Sequence, residues 1–591
     1  MAETLISPGI ALMEVDQSAI PPRPIVAGAA IIGPTVKGRV NVPTKVTSYA
    51  EYKQVFGETF LSGSVMQEFL TSLAARNYFE QGGESLLVTR IANGAAFRSA
   101  TSTDILPSGS SLDVLPFKLQ TLSPGKLLNN SPSSSWSSSY ENEDGSLVSG
   151  SADNIRWQIN GINEDRGTFS LIIRRGDDND KEQIILETFN NLSLDPMNPN
   201  FISKVIGDQV ETCIADGNEA TIQVNQGNYP NKSKYVRVSN VSPIVNYLDT
   251  EGNIRIIGGV RASAYLPKAQ EGGFTGGTGE PGVCYSGSTS PVEDSDAKAY
   301  YFGDLVTTEG VHDYNQGVRT DDYQSALLLM QNVDEYQINI LSAPGYFVAE
   351  NLVAVAEKRT DCIAVVDMFA KNTSVSSVAS DASAINSSYA AMYWPWLQMI
   401  SATGRYEWCP ASTVIPGVYA YNDHQAAPWY APAGMVRGGV QGVIQTARKL
   451  TKADRDTLYN KNVNPIATMP GAGIVVYGQK TLQKKASALD RVNVRRLLIE
   501  VKDTVKKMAS GLLFEQNTTA LQNEFKAQVD PYLASVVQRK GLVAYSIDLS
   551  ENTPDVIDRN EFRCGIKLQP TKTIEFIYLT FTVTATGVSF D

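Results

Sequence analysis

Histidine is the scarcest chemistry-bearing residue in this sequence: only His312 and His424 in 591 residues. Histidine is the usual acid–base group near neutral pH and a common metal ligand, so its scarcity weighs against an enzyme. Cysteine is sparse too. Cys213, Cys284, Cys362, Cys409 and Cys564 are far apart and form no C-x-x-C pair, so neither a disulfide framework nor a zinc site is indicated. Cys362, within DCIAVVDM, reads as a small buried hydrophobe. No apolar run reaches the roughly 18 residues that span a bilayer. The opening MAETLISPGI has neither the basic nor the apolar part of a secretory signal, so folding in a cytoplasm, with no membrane partner, is expected. Basic charge is also short: 50 Lys and Arg against 62 Asp and Glu, a net −12. Nucleic-acid binding needs a basic patch, and none is visible. Arg495-Arg496 and Lys506-Lys507 lie on a predicted helix and read as a solvated face, with a basic face for an acidic protein partner as the other reading.

Hydrophobic residues make up 42% of the chain, enough for ordinary cores, and its length suggests roughly four domains at about 150 residues each. Residues 1–24 read as an arm: Gly9 to Asp16 has strand-like content, and the Pro-rich stretch Ile20–Pro24 cannot continue a ladder. Such a strand can dock on its own body or join another chain's sheet edge. Residues 25–94 read as α/β, with a strand over Ile25–Ile32. Val65, Met66, Phe69, Leu70 and Leu73 fall on one helical face, Gly82-Gly83 ends that helix, and Ser85–Ile91 is a buried strand. Residues 95–320 are rich in Ser, Asn, Gly and Asp with short strand-like runs, and read as one or two β-rich insertions. Within them 131–139 is a loop and GGFTGGTGEPG at 272–282 a flexible connection. From 321 the α/β alternation returns through 582. Val494, Leu497, Leu498, Val501, Val505 and Met508 mark an amphipathic helix with Asp490 at its start as an acidic cap. Thr573–Val583 reads as a final strand, leaving 583–591 as a short C-terminal arm. The expected fold class is therefore multi-domain α/β (α+β), with a discontinuous body and β-rich insertions.

Two stretches approach ligand motifs. Gly277, Gly279 and Gly282 match G-x-G-x-x-G, but Pro281 sits inside and no helix pattern follows, so a loop is expected rather than a dinucleotide site. Gly473, Gly478, Lys480 and Thr481 miss a phosphate-binding loop because Gln479 is inserted before the lysine, and Ile474–Tyr477 favours a strand. A nucleotide-binding enzyme built on 473–481 is the rival from another class. Asp177, Asp178 and Asp180 read as a hairpin turn, since their spacing is wrong for a calcium loop. No catalytic, cofactor or metal residues are expected.

Several segments resemble the tail sheath family of myovirus-type contractile phages. They are LISPGIALMEVD at 5–16, FGE at 56–58, YFEQGGESLLVTRI at 78–91 and FNNLSLDPMNPNFISKVIGD at 189–208. The C-terminal third adds YWPWL at 393–397, VIPGVYAYNDHQAAPWYAPAG at 414–434, GIVVYGQKTL at 473–482, DRVNVRRLLIEVKDTV at 490–505 and the stretch 553–591. The resemblance implies a structural subunit that stacks as hexameric rings around a tail tube and contracts to drive that tube through the host envelope, without nucleotide hydrolysis. Its partners would be further copies of itself, the tail tube protein, and baseplate and tail terminator proteins, in a virion assembled in the host cytoplasm. A phage-like bacteriocin or extracellular injection particle would use the same chemistry. The resemblance further implies an inner α/β body with 95–320 facing outward. It also implies an N-terminal arm contacting a neighbour through Ile10, Leu12, Glu14 and Val15, and a C-terminal arm through Val583, Ala585, Val588 and Phe590. For the tube contact, Leu521–Arg539 is the candidate, through Glu524, Lys526, Asp530 and Arg539, with Pro531 expected to split it into two helical pieces.

Overall fold

The computed structural model describes residues 25–575 and 578, apart from 63–64, 93–95, 111, 216–220, 286–298 and 302–313. The expected strand in residues 9–16 and both sets of arm contacts lie outside the described residues, as does most of the final strand.

Two distant parts of the chain share one sheet. The N-terminal part supplies β1 (Ala29–Pro34), β2 (Thr44–Val46) and β3 (Leu86–Ile91). The later part supplies β4 (Ile340–Ser342), β5 (Ile363–Val366), β6 (Ala390–Trp394), β7 (Val463–Met469) and β8 (Gly473–Val476). The strand order is β2-β3-β1-β4-β5-β6-β7-β8. The six inner strands run parallel, and β2 and β8 close the two edges antiparallel. Parallel strands must be covered on both faces, and these sequences are apolar on both. Ala30, Ile32, Ala364, Val366, Ala390 and Met392 face a core formed with helices α3 (Asp322–Leu329) and α4 (Ala349–Arg359). Their neighbours Ala29, Ile31, Ile363, Val365 and Ala391 face α1 (Tyr49–Phe56), α2 (Leu70–Glu80) and α5 (Ile415–Gln425).

The helix predicted from Val65 starts later. Val65–Glu68 pairs with Thr59–Ser62 as a hairpin, and α2 begins at Leu70. That pairing takes up the backbone groups a helix would need. Gly82, at φ +92°, follows the end of α2 as expected.

Residues between β3 and β4 build a second core of their own. Strands Ile185–Ser193, Thr168–Arg175, Ile155–Asn163 and Gln270–Gly272 form one four-stranded sheet. Val236–Val241, Phe117–Pro124, Ser99–Ser102 and Phe274–Thr275 form another. Trp157, Phe117, Phe169, Leu171 and Phe274 pack together in that core. The start of 272–282 is thus not a flexible connection: the chain crosses from one sheet to the other at Gly273. A Cβ there would come within 2.2 Å of Asn130 Oδ1, so glycine serves close approach and not mobility. Trp157 Nε1 donates to the Gly273 carbonyl at 3.0 Å. The acidic turn does join two antiparallel strands, but Asp178 is buried, pairing with Arg174 at 2.6 Å and Arg156 at 3.6 Å.

Candidate assembly surface

The crevice where strand order reverses, at the C-terminal ends of β1 and β4, is where open α/β sheets usually bind ligands. Here it is filled by protein. Asp367, just past β5, is fully buried and accepts from Ser412 Oγ, from the Ser412 amide at 3.3 Å and from the Gly345 amide at 3.1 Å. Burial pushes its carboxyl up to about 6 despite these donors. Beside it, Gln316 Oε1 accepts the Leu70 amide at 2.9 Å, and Ser342 Oγ donates to the Ser412 carbonyl at 3.2 Å. A carboxylate directly after the apolar run CIAVV was the available signal for this network.

The near phosphate loop is a strand followed by a locked turn. β8 pairs with β7, and Asn464 holds Lys480 through both backbone groups, at 2.6 and 2.7 Å. The Lys480 ammonium donates to the Tyr459 carbonyl at 2.8 Å and lies 4.3 Å from that tyrosine's ring. Gly277 and Gly279 likewise sit in a loop, with Gly277 tied to Asn129 at 2.8 Å, and a short strand, Val283–Tyr285, follows.

The C-terminal part is a helical hairpin, α6 (Val492–Ser510) and α7 (Thr519–Gln538), backed by a ribbon of β9 (Leu542–Asp548) and β10 (Gly565–Pro570). Leu497, Val501, Phe525, Val529, Leu533 and Val536 form its core with Trp429. Two expectations for α6 fail. Arg491 occupies the cap position without a side-chain bond, while Asp490 pairs with Arg491 at 3.0 Å. Arg495 and Arg496 are buried and do not form a solvated face. Arg495 lies over the Tyr389 ring, and Arg496 lies over Tyr419 and bonds both Asp423 carboxylate oxygens. Partners contributed by other elements decide this, and helical periodicity carries no record of them. Lys506 and Lys507 are exposed as predicted.

Pro531 does not split the 521–539 segment. α7 runs unbroken through it, capped by the Thr518 hydroxyl, which accepts the Leu521 amide. Pro531 and Ala527 both lie on the exposed side, so the helical bond that proline removes falls where water can replace it. Glu524, Lys526, Asp530 and Arg539 are all exposed, but helical spacing puts them on two flanks. Asp530 accepts from Tyr545 of β9 at 2.9 Å, whereas Arg539 stacks on Trp429 at 4.6 Å. The β9–β10 ribbon is two-stranded, and among the described residues neither outer edge carries another strand. Unpaired edges of this kind are ready templates for a further strand.

No helix among the described residues is long and apolar enough to cross a membrane, and no group of three or more His, Cys, Asp or Glu among them could hold a metal ion.

A helical hairpin and open ribbon attached to a filled α/β sheet have a counterpart among known sequences. Residues 316–482 match the phage tail sheath protein central domain, and residues 484–584 match the phage tail sheath C-terminal domain. Over these residues the chain is similar to the phage tail sheath family. It is 40% identical over 188 residues to the tail sheath protein of Vibrio phage KVP40, covering 32% of this chain and 28% of that one. It is 38% identical over 186 residues to the tail sheath protein of Enterobacteria phage T4, covering 31% and 28%. Each of these alignments thus spans less than a third of the relative's length. The fold resembles the crystal structure of the sheath tail protein from Listeria innocua, with TM-score 0.51 and 10% identity over 92% of this chain and 95% of that one.

Proposed function

We propose that the chain is the structural subunit of a contractile phage tail sheath, polymerising as stacked hexameric rings around a tail tube and carried in the virion. The contiguous match of 316–584 to both sheath domains is the observation that carries this reading. The rest of the structure supports it. The crevice at the ends of β1 and β4 is occupied by Gln316, Asp367 and Ser412, which tie the N-terminal and later parts of the body together. The open β9–β10 ribbon offers edges to which an extended arm of a neighbour can add a strand. The N-terminal arm, through Ile10, Leu12, Glu14 and Val15, is the proposed donor. Main-chain ladders of this kind can hold while rigid bodies re-pack during contraction. The body of 25–92 and 321–582 would face the tube, with 95–320 outside, because an insertion with its own core can vary without disturbing the body. Electron microscopy of the purified chain tests this: tubes with six-fold rings are expected, and monomers under every assembly condition would reject it. A chain lacking residues 1–20 should fold and fail to polymerise.

A further inference from the structure

Gln479, the residue that spoils the phosphate-loop spacing, has a different use. Its Nε2 donates to Thr573 Oγ1 at 2.6 Å and to Glu575 Oε1 at 3.1 Å. Arg491 grips the same carboxylate from Nε at 2.6 Å and Nη2 at 2.9 Å, and the Tyr459 hydroxyl donates to Oε2 at 2.9 Å. The Glu575 side chain is 18% exposed. Burial opposes its ionisation, but Arg491, Tyr459 and Gln479 outweigh that and hold its carboxyl below the usual range. Thr573 and Glu575 both bond Gln479 of the body, while the Ile574 side chain between them is exposed. A lone exposed ion pair contributes little, whereas a bidentate pair with two further donors fixes geometry. All three donors lie within 459–491, at the junction of the two sheath domains.

We propose that Glu575 is a positioning residue that fastens the segment after β10 to the body at a fixed point, which on the sheath reading sets the spacing to a second copy of this chain. The fastening stands on the contacts alone; the second copy rests on the sheath reading. Without the clamp, the last fixed point is Thr571, whose amide donates to the Gly541 carbonyl at 3.2 Å. The four-residue stretch from there would let the position of residue 575 wander by up to about 14 Å.

Trypsin acting on the unpolymerised full chain tests the clamp, because Lys572 is exposed beside it. Glu575→Ala should raise cleavage after Lys572 at least tenfold with the same thermal midpoint, and Glu575→Gln should fall between. Gln479→Ala, which attacks the cradle from the other side, should also raise it and serves if Glu575→Ala fails to fold. Wild-type cleavage in these variants overturns the proposal. In micrographs, Glu575→Ala should give tubes with irregular ring spacing, and regular tubes overturn the positioning role. If the wild-type chain forms no tubes, the sheath reading falls, while the protease result still judges the clamp.

Discussion

Removing either half of the Arg496–Asp423 pair should reveal an asymmetry set by burial. Arg496 on α6 has a side chain 3% exposed, whereas that of Asp423 on α5 is 26% exposed. Asp423→Ala leaves a guanidinium that cannot lose its proton buried without its bidentate partner, a class of change that costs about 3–5 kcal/mol. Glu500, one turn along α6, offsets part of this, so the low end, about 3 kcal/mol, is expected. Arg496→Met keeps much of the packing on Tyr419 and leaves Asp423 able to turn to water. Its cost is mainly the lost charge-assisted bonds, about 1.5–2 kcal/mol. Denaturant unfolding of the isolated chain, read as the shift in midpoint at constant slope, measures both. Asp423→Ala costing less than 1 kcal/mol, or less than Arg496→Met, would refute the reasoning. The pair joins the segments 316–482 and 484–584, so hydrogen exchange in α6 should rise in Asp423→Ala before it rises in β5.

Asp367 predicts an unusual pH dependence. Its folded carboxyl titrates near 6 against an ordinary value of 3.8, so its contribution is fully present below about pH 4 and lost as pH rises through 6. Relative to Asp367→Asn, the wild-type chain should lose about 2–3 kcal/mol between pH 4 and 7.5, and parallel pH–stability curves would contradict this. Gly273→Ala should cost more than 2 kcal/mol by forcing Asn130 away from the sheet crossing, read from Trp157 fluorescence during unfolding. Charge reversal at Glu524 and Lys526 should weaken sheath formation templated on a tube while sparing self-assembly. Equal loss of both would assign these positions to folding or to sheath–sheath contacts.

The apolar strands at 29–34 and 86–91 were legible because residues buried on both faces leave continuous hydrophobic runs. The β8 strand was legible for a similar reason, and the misplaced Gln479 correctly argued against a phosphate loop. What escaped was set by partners far away in sequence. Arg495 and Arg496 look like surface charge until Asp423, Tyr389 and Tyr419 arrive from other elements. Glycine at 272 and 273 signals freedom in composition, yet here it marks crowding beside Trp157 and Asn130. Pro531 was read through the rule for helix interiors, without the information that it faces water. The Glu575 cradle draws on positions 84 to 116 residues away, beyond any local pattern.

The order of the sheet also constrains how the chain is made. β1 has β3 on one edge and β4 on the other, and β4 begins at residue 340. During synthesis, the 25–92 portion must therefore wait with one edge of β1 bare until about 250 further residues emerge. At typical elongation speeds this takes roughly 12–50 s. The sandwich at 99–275 has its own core and can close within that interval, keeping its own strands from the waiting edge. The nascent chain is thus most exposed to mispairing just before residue 340 appears, the window in which a chaperone or slowed translation would raise its yield.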